Sequence, residues 1–357
     1  MDFKKFYLML AMAVMLVLAA CGNGEGTTEE SAETDEAGTG TEESSETVTF
    51  ENNFEIGPAR GEEGDTTKVN ETIELPKNSD KVAIYDLGVA STFLALGIEE
   101  NIIGLPKGEG NASLSESLKE FESDEYANLG GLKPDEFETL AELQPEVIMI
   151  HGRQSNTQVV DEMKAAAPDA QIVFVAADNN NYFQDIMEMT TFLGEMYDVQ
   201  DKAAELVADM ETKVEEVNNT VTETDKSMLF IQTNGGDLSF HGEGGRYGFL
   251  YEDLGFTSAG EQEESGTTDN HGNQVSFEFI AQTNPGIMLV MDRGAAVSDG
   301  DATPVDVVIN DVTAGVDAIE NENIIELNPQ SWYLNSGGYL TGMAQLEEIE
   351  AGMEEVK

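Results

Sequence analysis

The sequence predicts an α/β protein of two similar parallel-sheet lobes, joined by a long connector helix and separated by a cleft. Three observations predict it. First, the 17-residue phrase FETLAELQPEVIMIHGR at residues 137–153 returns 140 residues later as FEFIAQTNPGIMLVMDR at residues 277–293, with five identities and seven close exchanges. Second, each copy reads as a short helix, a proline and a continuous apolar run: Val147–Ile150 in one copy, residues 287–291 in the other. Such runs fit strands covered on both faces. Third, residues 182 to about 221 lie between the copies, with apolar residues at helical spacing and acids opposite, as in AAELVADMETKVEEV.

The elements follow in chain order. Residues 1–20 read as a signal peptide, in which Lys4 and Lys5 precede an apolar run that is short for a bilayer span. The run ends in Leu18-Ala19-Ala20-Cys21, which resembles a bacterial lipoprotein cleavage box. Cys21 is the only cysteine, so it has no disulfide partner within the chain and no second thiol for a metal site. The expectation is a diacylated (palmitate-bearing) Cys21 that anchors the chain to the outer face of a cell membrane. Residues 21–47 then form an acidic tether. Within 22–46, nine of 25 residues are acidic and none is basic, a composition that cannot build a core. A flexible segment of this length spans about 25–30 Å. The body divides into an N-terminal lobe at 48–180, connector helices at 181–224 and a C-terminal lobe at 225–357. Further strands are expected at 82–85, 171–175, 228–232 and Ile324–Leu327. Alternation of β and α elements argues for parallel sheets with right-handed crossovers.

The chain carries 71 acidic against 17 basic residues, a net charge of −54 and a pI near 4.1. That excludes a phosphate-gripping nucleic-acid binder, which needs clustered Lys and Arg. It fits an acidic surface suited to high salt, where self-repulsion is screened.

Against that background the four arginines stand out: Arg60, Arg153, Arg246 and Arg293. Arg153 and Arg293 end the two copies of the repeat, just past the expected strands, where open α/β sheets bind ligands. Arg246 sits in the glycine-rich stretch GEGGRYG. Three guanidiniums on one cleft would take an anionic, planar or aromatic ligand. The competing reading is that each pairs with one of the abundant carboxylates. The three histidines, His151, His241 and His271, show no HxH or HxxxH spacing, a weak signature for a protein-held zinc. Trp332, the sole tryptophan, and Tyr333 follow the strand at Ile324–Leu327 and are expected at the cleft, or else Trp332 packs under a loop.

Read together, LPKNSDKVAIYD (75–86), GLPK (104–107), NLGGLKPDEFETL (128–140), GRQS (152–155), GRYG (245–248), LGF (254–256), HGNQVSFEF (271–279), DRGAAV (292–297) and WYL (332–334) resemble substrate-binding lipoproteins of ABC-type iron–siderophore importers. The likeness is strongest to the branch that takes ferric catecholates of the petrobactin type. It implies a class III periplasmic-binding-protein-like fold whose helical backbone limits hinge motion. It implies that Arg153, Arg246 and Arg293 hold the ferric complex, and that His271 and Tyr333 reach the iron where the siderophore leaves positions open. Imidazole nitrogen and phenolate oxygen are both competent Fe(III) ligands. Trp332 is expected beside them. The resemblance also places permease contacts on Glu138 and Glu278, the repeated glutamates. It implies a monomer with no intrinsic cofactor, whose partners are a ferric siderophore and an ABC permease.

Same-fold receptors for haem, cobalamin or a ferric hydroxamate remain alternatives. An enzyme is disfavoured: the chain has no GxSxG elbow and no GxGxxG after a strand. An adhesin would not need arginines at matched strand ends.

Overall fold

In the computed structural model, residues 46–261, 272–297 and 307–357 are described. The signal peptide, Cys21, almost all of the tether and His271 lie outside them. Ser45–Lys357 makes one compact unit.

The chain enters the fold as an antiparallel hairpin, β1 (Thr47–Ile56) and β2 (Thr67–Pro76), that was not among the expected strands. Apolar residues alternate along both (Val48, Phe50, Phe54 and Ile56; Val69, Ile73 and Leu75), but the pattern breaks at mid-strand, where Asn52 pairs with Glu71. The hairpin docks through Asn52, which is 1% exposed. Its amide donates to the Ile172 carbonyl (2.9 Å) and accepts from the Phe174 N–H (3.0 Å). Phe54 stacks on Phe174 beside it.

The first sheet comprises β3 (Val82–Ile84), β4 (Ile102–Leu105), β5 (Ala127–Asn128), β6 (Val147–Ile150) and β7 (Gln171–Phe174). Its order is β5-β4-β3-β6-β7 and every pairing is parallel. Helix α1 (Leu87–Leu96) follows β3, α2 (Glu138–Leu143) precedes β6, and α3 (Thr157–Ala166) joins β6 to β7.

The second sheet comprises β8 (Ser227–Asn234), β9 (Asp237–His241), β10 (Thr257–Ser258), β11 (Asn273–Val275), β12 (Ile287–Asp292) and β13 (Ile324–Leu327). Its order is β11-β9-β8-β12-β13, with β10 also on β8. Strands β8, β10, β12 and β13 pair in parallel, but β8–β9 and β9–β11 are antiparallel. The expectation of two parallel sheets is corrected here. The cause is Asn234-Gly235-Gly236-Asp237, where both glycines take positive φ (62° and 100°) and close a two-residue hairpin.

The strands of the repeated phrase are buried on both faces, as their apolar runs require. Along β3 and β6, Val82, Ile84, Val147 and Met149 face a central core, while Ala83, Ile148 and Ile150 face an outer layer with Val159, Val160 and Met163 of α3. Along β8 and β12, Met228, Phe230, Ile287 and Leu289 join that same central core, and Leu229, Ile231, Met288 and Val290 pack outward. Full burial of each such side chain contributes about 1.5–3 kcal/mol. The repeat extends to its backbone. Gln144 and Asn284 end the two copied helices in the left-handed conformation (φ 45° and 42°), each followed by proline.

The connector is two helices, α4 (Tyr182–Met196) and α5 (Gln200–Thr222), broken at Asp198 (φ 55°). They cross closely at Gly194, where a Cβ would lie 2.4 Å from that of Ala203. The C-terminal helix Tyr339–Glu355 leaves the second sheet and packs on α1, α4 and α5. The segment leading into it is fastened to the first lobe: Asn335 donates to the Ser113 carbonyl, and the Tyr339 N–H donates to Thr92 Oγ1 (2.9 Å).

Candidate ligand-binding cleft

A wide π-helical turn at Gln330–Leu334 follows β13 and presents Tyr333. Asn328 starts it, its side-chain oxygen accepting from the N–H groups of Gln330 (3.0 Å) and Ser331 (3.2 Å). Glu348 of the C-terminal helix clamps it, accepting from the Asn328 N–H (2.8 Å) and the Trp332 indole N–H (2.6 Å). Burial raises the Glu348 carboxyl, opposed by these two donors.

Three arginines converge on Tyr333. Arg153, just past β6, donates from Nη2 to the Tyr333 carbonyl at 2.7 Å. Arg246, on the glycine-rich turn, donates to the same carbonyl at 2.8 Å and lies over the Tyr333 ring at 4.3 Å. Arg293, just past β12, donates from Nε to the Tyr333 hydroxyl at 2.8 Å. All three are half-buried. Among the described residues none forms an ion pair; the ion pairs found there use lysines. Among the described residues, then, no surface carboxylate neutralises these arginines. Burial and the Arg246 charge both press against protonation of Arg153. Burial alone would raise the Tyr333 phenol. The Arg293 hydrogen bond and the charges of Arg246, Arg293 and Arg153 outweigh it and bring the phenol below its ordinary value.

A cleft of about 310 Å³ is lined by Arg153, Arg246 and Tyr333, with Asp86, Lys133 and His151; Arg293 is not on its lining and meets it only through the Tyr333 hydroxyl. Asp86, Lys133 and His151 were not among the expected site residues. Lys133 belongs to NLGGLKPDEFETL and adds an exposed cation. The His151 Nδ1 accepts from the Arg153 N–H (3.1 Å). Burial, then the charges of Arg153 and Arg246, hold this imidazole well below its usual value and so neutral.

Trp332 is a correction. It is fully buried, with its only donor held by Glu348, and it lies beneath the cleft against Phe249, Phe230 and Tyr247. The turn alternates sides, so Tyr333 faces the arginines and Trp332 faces the core. Glu138 and Glu278 sit exposed in the first turns of the two copied helices. His271 lies outside the described residues.

Asp86 caps α1, accepting from the Val89 N–H at 2.9 Å. It is 2% exposed, and burial pushes its carboxyl up to about 7 against the Val89 N–H, the Arg153 charge and the Gly88 N–H. The folded state thus keeps a proton that the unfolded chain releases near its ordinary value of 3.8. Stability carried by this group falls as pH rises from about 4 to about 7. Thermal melts across that range should show a shallower decline for Asp86→Asn than for the parent; identical slopes would mean the carboxyl titrates as an ordinary one.

Residues 82–331 match the family model described as periplasmic binding protein. The chain belongs to this family. Among periplasmic binding proteins, it is 30% identical over 352 residues to the petrobactin-binding protein YclQ of Bacillus subtilis, covering 98% of this chain and 99% of that one. The crystal structure of that protein superposes with a TM-score of 0.69 at 29% identity, over 85% of this chain and 99% of its own. The iron uptake ABC transporter substrate-binding protein PiuA of Streptococcus pneumoniae gives a TM-score of 0.70 at 28% identity, over 84% and 99% of the two chains.

Proposed function

We propose that this chain is the substrate-binding receptor of an ABC-type iron importer, and that its cleft takes a ferric siderophore of the anionic, petrobactin-like catecholate type. The observation that carries the reading is the convergence of three guanidiniums on one tyrosine, none of them ion-paired among the described residues of a chain with 71 acidic residues. Gathering like charges in a half-buried place costs electrostatic energy, and an anionic ligand would offset it. The relatives support the class: one is named for petrobactin, another for iron uptake. In this reading the arginines bond catecholate oxygens. The Tyr333 hydroxyl, kept acidic by Arg293, stands where it can approach the iron, and His271 joins it. The iron is cargo carried by the siderophore, not a resident cofactor, and the chain is a receptor, not an enzyme. Glu138 and Glu278 are the contacts offered to the permease. The receptor works as a monomer on the outer face of the cell membrane, tethered through a lipidated Cys21.

The test is a quenching titration of the full chain in high salt, read from Trp332. That residue adjoins Tyr333 in sequence and reports from below the cleft. Saturable quenching by a ferric catecholate, with a ferric hydroxamate binding at least tenfold more weakly, is expected. A preference for the hydroxamate would keep the receptor and overturn the anionic-ligand argument. A response to haem or cobalamin alone would reassign the ligand.

A further inference from the structure

The lining of this cleft holds one carboxylate among cations. Lys133, Arg153 and Arg246 are positively charged; among the described residues, Asp86 is the only acidic one beside them. Its two oxygens differ. Oδ1 is engaged by the Val89 N–H at the start of α1. Oδ2 is buried and has no donor at hydrogen-bond distance, and the Gly88 N–H acts on the carboxyl more weakly than that of Val89. A buried acceptor without a partner costs on the order of 1–3 kcal/mol, and more when charged. Capping α1 requires one oxygen only; Ser or Asn would cap as well without a second buried acceptor. Arg153 interacts with Asp86 through its charge, but its Nη2 bonds the Tyr333 carbonyl instead. Tyr182, on the same lining, donates to Gln345 Oε1 (2.8 Å) and accepts from the Gly337 N–H (2.7 Å), so it does not serve Asp86 either.

We infer that Asp86 Oδ2 is an acceptor subsite for a hydrogen-bond donor on the siderophore's linker, an N–H that lies apart from the metal-binding catecholates. The inference rests on the receptor reading and deepens it. The arginines select the anionic chelate, and Asp86 selects what joins its arms. A complex whose linker offers only acceptors gains nothing at Asp86. A complex with a linker N–H supplies the missing donor. The cleft would therefore distinguish two ferric catecholates of the same chelating groups by their linkers alone.

The test uses the full chain and two ferric bis-catecholates that differ at one nitrogen: a linker with a secondary amide N–H, and the same linker with that amide N-methylated. The parent should prefer the N–H chelate by about tenfold or more, the effect of satisfying one buried acceptor. Asp86→Asn places an amide N–H where the acceptor was, and Asp86→Ser removes the second oxygen while keeping the cap. In both, the preference should collapse toward one. Two variants guard against misfolding of either, and thermal melts identify a variant that fails to fold. A parent that binds both chelates equally, or variants that keep the preference, would overturn the assignment and leave Asp86 a helix cap with a buried water on Oδ2. A parent that binds neither chelate would overturn the receptor reading, and the assignment with it.

Discussion

Replacing both Arg153 and Arg246 with alanine should lower affinity for a ferric catecholate about a thousandfold, while either single change costs about 10- to 100-fold. Each guanidinium offers charge-assisted hydrogen bonds of about 1.5–3 kcal/mol to an anionic oxygen. The two effects should not add simply, because both side chains bond the same Tyr333 carbonyl at 2.7 and 2.8 Å. The stability outcome separates binding from structure. Arg246→Ala leaves that carbonyl its Arg153 donor and removes a like charge that presses on Arg153. Its melting temperature should hold or rise while affinity falls. Calorimetric titration and thermal melts on the same samples check both. A joint fall would mean that the arginines hold the fold and serve the ligand only incidentally.

Gly338→Ala should destabilise the protein by about 3 kcal/mol or more, in a chain whose helix-ending glycines tolerate the same change far better. Gly338 has extended backbone (φ −139°, ψ 172°), so alanine meets no conformational penalty there. The obstacle is contact: a Cβ at 338 would lie 1.6 Å from the Gly88 carbonyl oxygen. The converse holds at Gly88, where a Cβ would lie 2.3 Å from the Ser336 carbonyl. One backbone cannot yield without lifting the C-terminal helix off α1. Gly97 is the control. It ends α1 at φ 72° with open space around it, so Gly97→Ala should cost only about 1 kcal/mol, from backbone strain alone. Urea titrations of the two variants make the comparison. A cost at Gly338 no larger than at Gly97 would mean that the two backbones separate easily.

Much of this was legible in the chain before any coordinates. The repeat located the interior strands β6 and β12, and the rarity of arginine located three of the groups on Tyr333, because an unusual residue at a repeated strand end carries information that one of 71 acids cannot. Burial on both faces followed from unbroken apolar runs at Val147–Ile150 and residues 287–291. The first hairpin was passed over although Val48, Phe50, Phe54 and Ile56 alternate along it, because Asn52 and Glu71 interrupt its apolar face at mid-strand. Asn234-Gly235-Gly236-Asp237 did announce the antiparallel turn, as paired glycines between apolar runs do, and should have tempered the expectation of a parallel sheet. Trp332 and Tyr333 could not be told apart in sequence, because which side of a turn faces the core depends on Glu348, residues away on another helix. Asp86 was quoted at the end of a motif, but its orphaned oxygen exists only in three dimensions.

The return of the C-terminal helix to the first lobe also sets the order in which the molecule can be made. The central core joins Leu87 and Phe93 of α1 to Leu346 and Ile349 of the last helix. The ribosome releases α1 long before residues 339–355. The first lobe cannot bury that face until those residues emerge, so its final packing step waits for them. A polypeptide built this way stays unfinished, and threadable, until that helix arrives.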